Sequence, residues 1–172
     1  MQSGESGMAE KKSVEKELFG NIDLEVTKKK KFRINGDADK VLELNISDMN
    51  IVTRLKTILP KLQDLQKEAN EKIDAVAITP DSDDDLEAIT GLADALVDID
   101  TKMRNLIDEL FDSNVSELCA PDGSMYDPFA GEFRYEHIIS VIGDLYATNI
   151  SEEFDKMSKR ISKRTAKYTK KK

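Results

Sequence analysis

The run SDMNIVTRLKTILPKLQDLQKEANEKIDAV, residues 47–76, decides the fold. Its apolar residues fall at Met49, Val52, Leu55, Leu59, Leu62, Leu65, Ala69, Ile73 and Val76. Steps of three and four wind these into one stripe along an α-helix. Ser47 is placed to cap the start, because its hydroxyl can accept an amide N–H two or three residues on, and Asp48 complements the positive end of the helix dipole. Pro60 lies inside the run; it has no amide hydrogen and predicts a kink or a split there. The helix is expected to end near Thr79-Pro80.

A second run follows, LEAITGLADALVDIDTKMRNLIDEL, residues 86–110. Its stripe is Leu86, Ile89, Ala93, Leu96, Met103, Ile107 and Leu110, flanked by Ile99 and Leu106. The acidic residues 81–85 suit the first turn of that helix, where the dipole favours negative charge. Each run is about 30 residues, or roughly 45 Å at the helical rise. Matched lengths and a short connection predict a long antiparallel helical hairpin over residues 48–118.

Working outward towards the N-terminus, residues 19–47 read as a small β element. Ile22, Leu24 and Val26 alternate with Asp23 and Glu25. Phe32 and Ile34 follow four lysines, and Leu42, Leu44 and Ile46 share one face of the next run. Asn35-Gly36-Asp37 between them is a turn signal, because Asn and Gly tolerate positive φ. Two or three antiparallel strands are expected, leaning on a helix or a partner chain. Residues 1–18 read as a disordered arm, its first seven residues a linker or tag scar before Met8.

Towards the C-terminus, residues 119–134 break the helical pattern. Pro121-Asp122-Gly123 and Asp127-Pro128 are turn chemistry, yet the loop carries Met125, Tyr126, Phe129 and Phe133. Tyr135, Ile138, Ile139, Ile142, Leu145 and Tyr146 then make a third helix, which Gly143 weakens by about 1 kcal/mol relative to Ala. Ser151 is expected to cap a fourth helix through Phe154, Met157 and Ile161, giving a C-terminal helical pair over 135–164. Residues 165–172 read as a basic, flexible tail. The fold class is therefore mainly α: a small N-terminal antiparallel β-hairpin or meander, a long αα-hairpin and a C-terminal helical pair.

Composition agrees with long amphipathic helices. Of the 172 residues 35% are charged and 6% aromatic, with no Trp, a mix that disfavours a sandwich or barrel. No stretch is long and apolar enough for a membrane span, and the N-terminus lacks the apolar core of a signal peptide. A soluble, cytoplasmic protein is expected. The net charge of −8 hides an asymmetry: nine Lys or Arg and no acid follow Asp155, whereas 17 basic and 34 acidic residues precede or include it. A body this acidic argues against duplex nucleic acid as the main partner. The tail residues Lys159, Arg160, Lys163, Arg164 and Lys167 suit an electrostatic contact to an acidic partner, or a solvated helix end.

Catalytic and metal signatures are missing. His137 is the single histidine and Cys119 the single cysteine, so neither a triad nor a zinc site can be assembled. Cys119 reads as a small apolar residue in a reducing compartment. Asp81, Asp83 and Asp85 resemble the start of a calcium loop, but Leu86 and Leu92 stand where glycine and the bidentate glutamate are needed. Gly36, Gly91, Gly123 and Gly131 are scattered singly, not grouped into a phosphate loop. Neither catalysis nor a cofactor is expected. Met125, Tyr126, Phe129, Phe133 and Tyr135 are the candidate partner-binding residues, because aromatics and Met dominate interface hot spots. The opposing possibility is that the loop folds over the core with Tyr126 and Phe133 buried.

Several stretches carry a family resemblance. They are Phe32-Arg33-Ile34-Asn35-Gly36-Asp37, then Ser47-Asp48-Met49-Asn50-Ile51, then Phe111-Asp112-Ser113, then Gly123-Ser124-Met125-Tyr126-Asp127-Pro128. Gly131-Glu132-Phe133-Arg134-Tyr135-Glu136-His137-Ile138-Ile139 and Lys163-Arg164-Thr165-Ala166-Lys167-Tyr168 complete the set. Together they resemble the tail assembly chaperones of long-tailed phages and prophages of Gram-positive bacteria, over most of the chain from about residue 19. The resemblance implies a non-catalytic protein of the infected host's cytoplasm that binds and solubilises the tape-measure protein and helps recruit tail-tube subunits. It also implies absence from the finished virion, and a frameshifted longer product for which Lys170-Lys171-Lys172 would mark the slippery codons. A structural virion or tail component, and a phage protein that binds a host or defence factor, are the alternatives. Self-association is expected from the long apolar seams and open sheet edges.

Overall fold

The structure, a computed structural model, describes residues 20–26, 29–76 and 83–169, with 83–85 and 168–169 described through their backbone alone. The expected N-terminal arm, the acidic connection before Asp83 and the last three lysines lie outside the described residues. The expected fold class is borne out at the level of a mainly α protein with a small two-stranded antiparallel sheet ahead of its long helices.

Strands β1 (Lys30–Arg33) and β2 (Val41–Leu44) pair antiparallel, with Phe32 opposite Leu42 and Lys31 opposite Glu43. The turn between them forms where the Asn-Gly pair predicts it, with φ +52° at Asn35 and +75° at Gly36. Leu42 and Leu44 point into the core, while Val41 and Glu43 face outward. Residues 22–26 do not form the expected first strand. They are irregular, with Ile22, Leu24 and Val26 between 72% and 87% exposed. Alternation supplies a face, but a strand also needs a hydrogen-bonding neighbour, and none among the described residues pairs with this segment.

Helix α1 (Asn50–Ala75) and helix α2 (Asp83–Phe111) form the expected antiparallel hairpin. At one end Arg54 of α1 donates Nε–H to the Leu110 carbonyl of α2 at 2.8 Å. Further along, Lys61, Asp64 and Leu65 share a surface hollow with Lys102, Asn105 and Leu106. Pro60 does not split α1. Both Pro60 and Lys56 are exposed, a position where solvent can replace the amide donor that proline lacks. The cap also differs from expectation. Asp48, not Ser47, accepts the Asn50 amide at 2.9 Å. The Ser47 hydroxyl instead accepts from the Asn149 side chain at 3.1 Å. Helix α1 stops at Ala75, earlier than expected, and Val76 is extended.

The buried stripe is rotated from the expected one at both ends. In α1 it runs Ile51, Ile58, Leu62 and Ala69, whereas Met49, Val52 and Ile73 are exposed. In α2 it runs Ile99, Met103, Ile107 and Leu110, so Ile99 is central, while Leu86 and Ile89 lie in solvent. The tip of the hairpin thus reaches past the core.

Helix α3 (Val115–Cys119) follows, then a miniature hairpin of β3 (Pro128–Phe129) and β4 (Glu132–Phe133). Helix α4 (Arg134–Thr169) is continuous. The expected helical pair is one helix: Ser151 lies in its interior and does not cap, and the expected flexible tail is helical to Thr169. Neither a proline nor a turn interrupts residues 147–153, so intrahelical hydrogen bonding outweighs the local preference of Ser151. Tyr135, Ile138, Ile142 and Tyr146 complete the core. Asn149 pins the helix to the N-terminal region: it accepts from Lys30 Nζ at 3.1 Å and donates to the Ile46 carbonyl at 3.3 Å. Among the described residues no helix is long and apolar enough to cross a membrane.

Arg54 also donates to Asp48 at 2.8 Å, tying the start of α1 to the end of α2. Burial pushes the Asp48 carboxyl up, but hydrogen bonds from Arg54 and the Asn50 amide outweigh it and hold the pKa below its ordinary 3.8. A lowered folded-state pKa stabilises fully above the unfolded value and loses that contribution as pH falls through the lower folded value. Asp48→Asn keeps an acceptor for the Asn50 amide but removes the charge. The gap in urea midpoint between wild type and Asp48→Asn is therefore expected to be constant near neutrality and to close below about pH 4. A gap that widens in acid would contradict this assignment.

Candidate interaction groove

The aromatic loop is held by charged residues of α2 spaced one helical turn apart. Asp100 accepts the Met125 amide at 2.6 Å and the Arg104 Nε–H at 2.7 Å. Arg104 donates to the carbonyls of Ser116 at 3.2 Å, Ala120 at 2.8 Å and Gly123 at 2.6 Å. Those carbonyls belong to the last turn of α3 and the loop after it, where intrahelical amide donors run out. Asp108 caps α3, accepting the Ser116 amide at 2.7 Å and hydroxyl at 2.8 Å. Asp127 accepts the Ser124 amide at 2.9 Å, and Arg134 reaches the Asp122 carbonyl. At the start of α4, Glu136 accepts the Phe133 amide at 3.0 Å.

This clamp sorts the candidate residues. Met125 and Tyr135 are buried, at 0% and 1% exposure, and belong to the core. They offer no surface to a partner, because the Met125 carbonyl also accepts the Tyr135 amide and draws both inward. Tyr126 and Phe133 are half-buried against the core. The Tyr126 hydroxyl donates to the Leu96 carbonyl at 3.4 Å, and Phe133 stacks on Tyr135 at 6.1 Å. Phe129 alone of the five is exposed, at 50%. It meets His137 edge-on at 4.9 Å, and His137 in turn contacts Glu132 at 2.7 Å.

Phe129 stands at the rim of a groove of about 630 Å³. One wall is the β-hairpin, through Phe32, Ile34 and Leu42; the other is α4, through Ile138, Val141 and Leu145. Cys119, Ala120 and Pro121 close one side. Burial pushes the Cys119 thiol pKa up, so it lines the groove as a neutral, apolar group. The volume lies within the range of ligand sites, and the lining is mostly apolar with a few polar groups. Val141 is 53% exposed, an apolar residue on the outer side of α4. Sequence reasoning missed it because it lies off the core stripe; that displacement was itself the available signal.

The basic tail residues Lys159, Arg160, Lys163, Arg164 and Lys167 are exposed along α4, remote from this groove. Lys156, beside them, binds Glu153 at 2.7 Å. Comparison with protein-family models, with curated proteins and with solved structures returned no match.

Proposed function

We propose that this chain is a non-catalytic tail assembly chaperone of a long-tailed phage. In this reading the groove takes an apolar helical stretch of the tape-measure protein and keeps it in solution in the host cytoplasm, while tail-tube subunits are recruited. The observation that carries the reading is the apolar groove with Phe129 and Val141 exposed at its edge. An amphipathic helix laid into such a groove buries its apolar face at spaced anchor positions. The exposed apolar residues towards the tip of the hairpin, Ile73, Leu86 and Ile89, extend the apolar surface that a long helical client would meet. The formal net charge of −8 keeps a complex with an apolar client soluble.

The test is co-expression with the tape-measure protein, followed by co-purification. Wild type is expected to render that chain soluble and to remain bound to it. Phe129→Asp combined with Val141→Asp is expected to abolish co-purification while the variant stays folded, since both side chains already face water. Recovery of an insoluble, unbound client with wild type, or stoichiometric presence of this protein in purified virions, would overturn the chaperone reading.

A further inference from the structure

Helix α4 outgrows the body on which it packs. Its last fully buried residue is Asn149, and Ile150 is half-buried. From Ser151 onward every residue with a described side chain is exposed. Yet the apolar spacing continues through Ile150, Phe154, Met157 and Ile161, in steps of four, three and four. Phe154, Met157 and Ile161 are 51–61% exposed. Such steps are the a/d spacing of a two-helix coiled-coil seam. An isolated helical stretch of this length is marginal in water, and helices of this kind gain most of their stability by packing an apolar face.

We propose that this overhang pairs antiparallel with the same segment of a second copy of the chain. The charge order selects both the occupant and the direction. The overhang opens acidic, with Glu152, Glu153 and Asp155, and continues basic, with Lys156, Lys159, Arg160, Lys163, Arg164 and Lys167. Parallel pairing would set the basic stretches side by side. Antiparallel pairing sets each basic stretch against the other copy's acidic start. In the register that seats a positions against d positions, Ile150 meets Ile161 of the second copy and Phe154 meets its Met157. The two-fold axis repeats both layers, so the seam is self-complementary. The flanking positions agree. Glu153 and Arg160 occupy successive g positions, and in this register Glu153 of each copy faces Arg160 of the other. On the opposite flank Ser151 faces Ser158, which are small and uncharged. Glu153 already holds Lys156 on its own helix; exposed ion pairs of this kind exchange readily.

The test is sedimentation equilibrium of the full chain over a wide concentration range, without any client protein. Wild type is expected to rise from the single-chain mass of 19.3 kDa towards twice that value. Arg160→Glu and Glu153→Arg, each alone, bring like charges face to face at both symmetry-related contacts of the charged flank, and each is expected to weaken the dimer by about tenfold or more. An equimolar mixture of the two variants restores both ion pairs and is expected to form a heterodimer of wild-type strength. Helix content by circular dichroism should be unchanged at low concentration, since the replaced side chains are exposed. A wild type that keeps the single-chain mass at all concentrations would overturn the proposal, as would a mixture no stronger than either variant alone. Neither result bears on the groove, which lies on another part of the molecule.

Discussion

Arg104→Ala is expected to cost about 3 kcal/mol of folding free energy, lowering the thermal midpoint by roughly 10 °C in a chain of this size. Among the described residues Arg104 is the one side chain that bonds α3 and the following loop at several carbonyls together, and its side chain is mostly shielded, at 22% exposure. Its removal takes that donor from the Ala120 and Gly123 carbonyls, leaves the Ser116 carbonyl with the Ala120 amide alone, and strips Asp100 of its ion-pair partner, while Asp100 still accepts from Met125. Each lost bond to a charged group is worth about 1.5–3 kcal/mol at most sites, but water can re-solvate the exposed Gly123 end, so the sum is discounted. Arg104→Lys separates charge from geometry. A lysine can keep the pairing with Asp100, yet a single ammonium cannot span carbonyls held by a planar fork. The lysine variant should therefore recover less than half of the loss. Urea unfolding of the three proteins checks this. A cost below about 1 kcal/mol for Arg104→Ala would show that the loop is held by its apolar side chains and not by this clamp.

The hairpin could be read from sequence because helical periodicity is local. Steps of three and four from Leu55 to Ala69 and from Leu96 to Leu110 need no knowledge of the partner surface. Where a stripe outlasts its partner, the reading fails. Leu86 and Ile89 continue the spacing of α2, and Phe154 and Ile161 that of α4, but no described element covers them. The Asn35-Gly36 turn was equally legible, because positive φ is a property of those residues themselves. The strand expected at Ile22–Val26 was not, because pairing is a property of two segments. The clamp was invisible for a related reason. Asp100, Arg104 and Asp108 look like the solvated flank of a helix, and their partners lie eight to 25 residues away in α3 and the turn-rich loop after it. In the groove, Phe129 was singled out from composition, whereas Phe32, Cys119 and Val141 join it only through the packing of the β-hairpin against α4.

Met125 and Phe129 should separate sharply under the same substitution. Met125→Ala is expected to cost about 3 kcal/mol, since removing a fully buried side chain of this size forfeits both its transfer free energy and the contacts around the cavity left behind. Phe129→Ala should change stability by no more than about 0.5 kcal/mol, the ordinary range for a surface position; its ring is half in water and loses mainly the edge contact with His137. Binding should order them the other way. Phe129→Ala weakens capture of an apolar helical client at a stability close to wild type, because the lost ring lies on the surface that the client would cover. Met125→Ala affects capture only to the extent that the chain unfolds, so lowering the temperature or adding a stabilising osmolyte should restore it. Urea midpoints and client co-purification for both variants, at two temperatures, distinguish the roles. A Phe129→Ala that costs more than about 2 kcal/mol would place that ring in the core. A Met125→Ala that loses the client while keeping the wild-type midpoint would instead mean that the loop opens to bind, exposing Met125 as a contact.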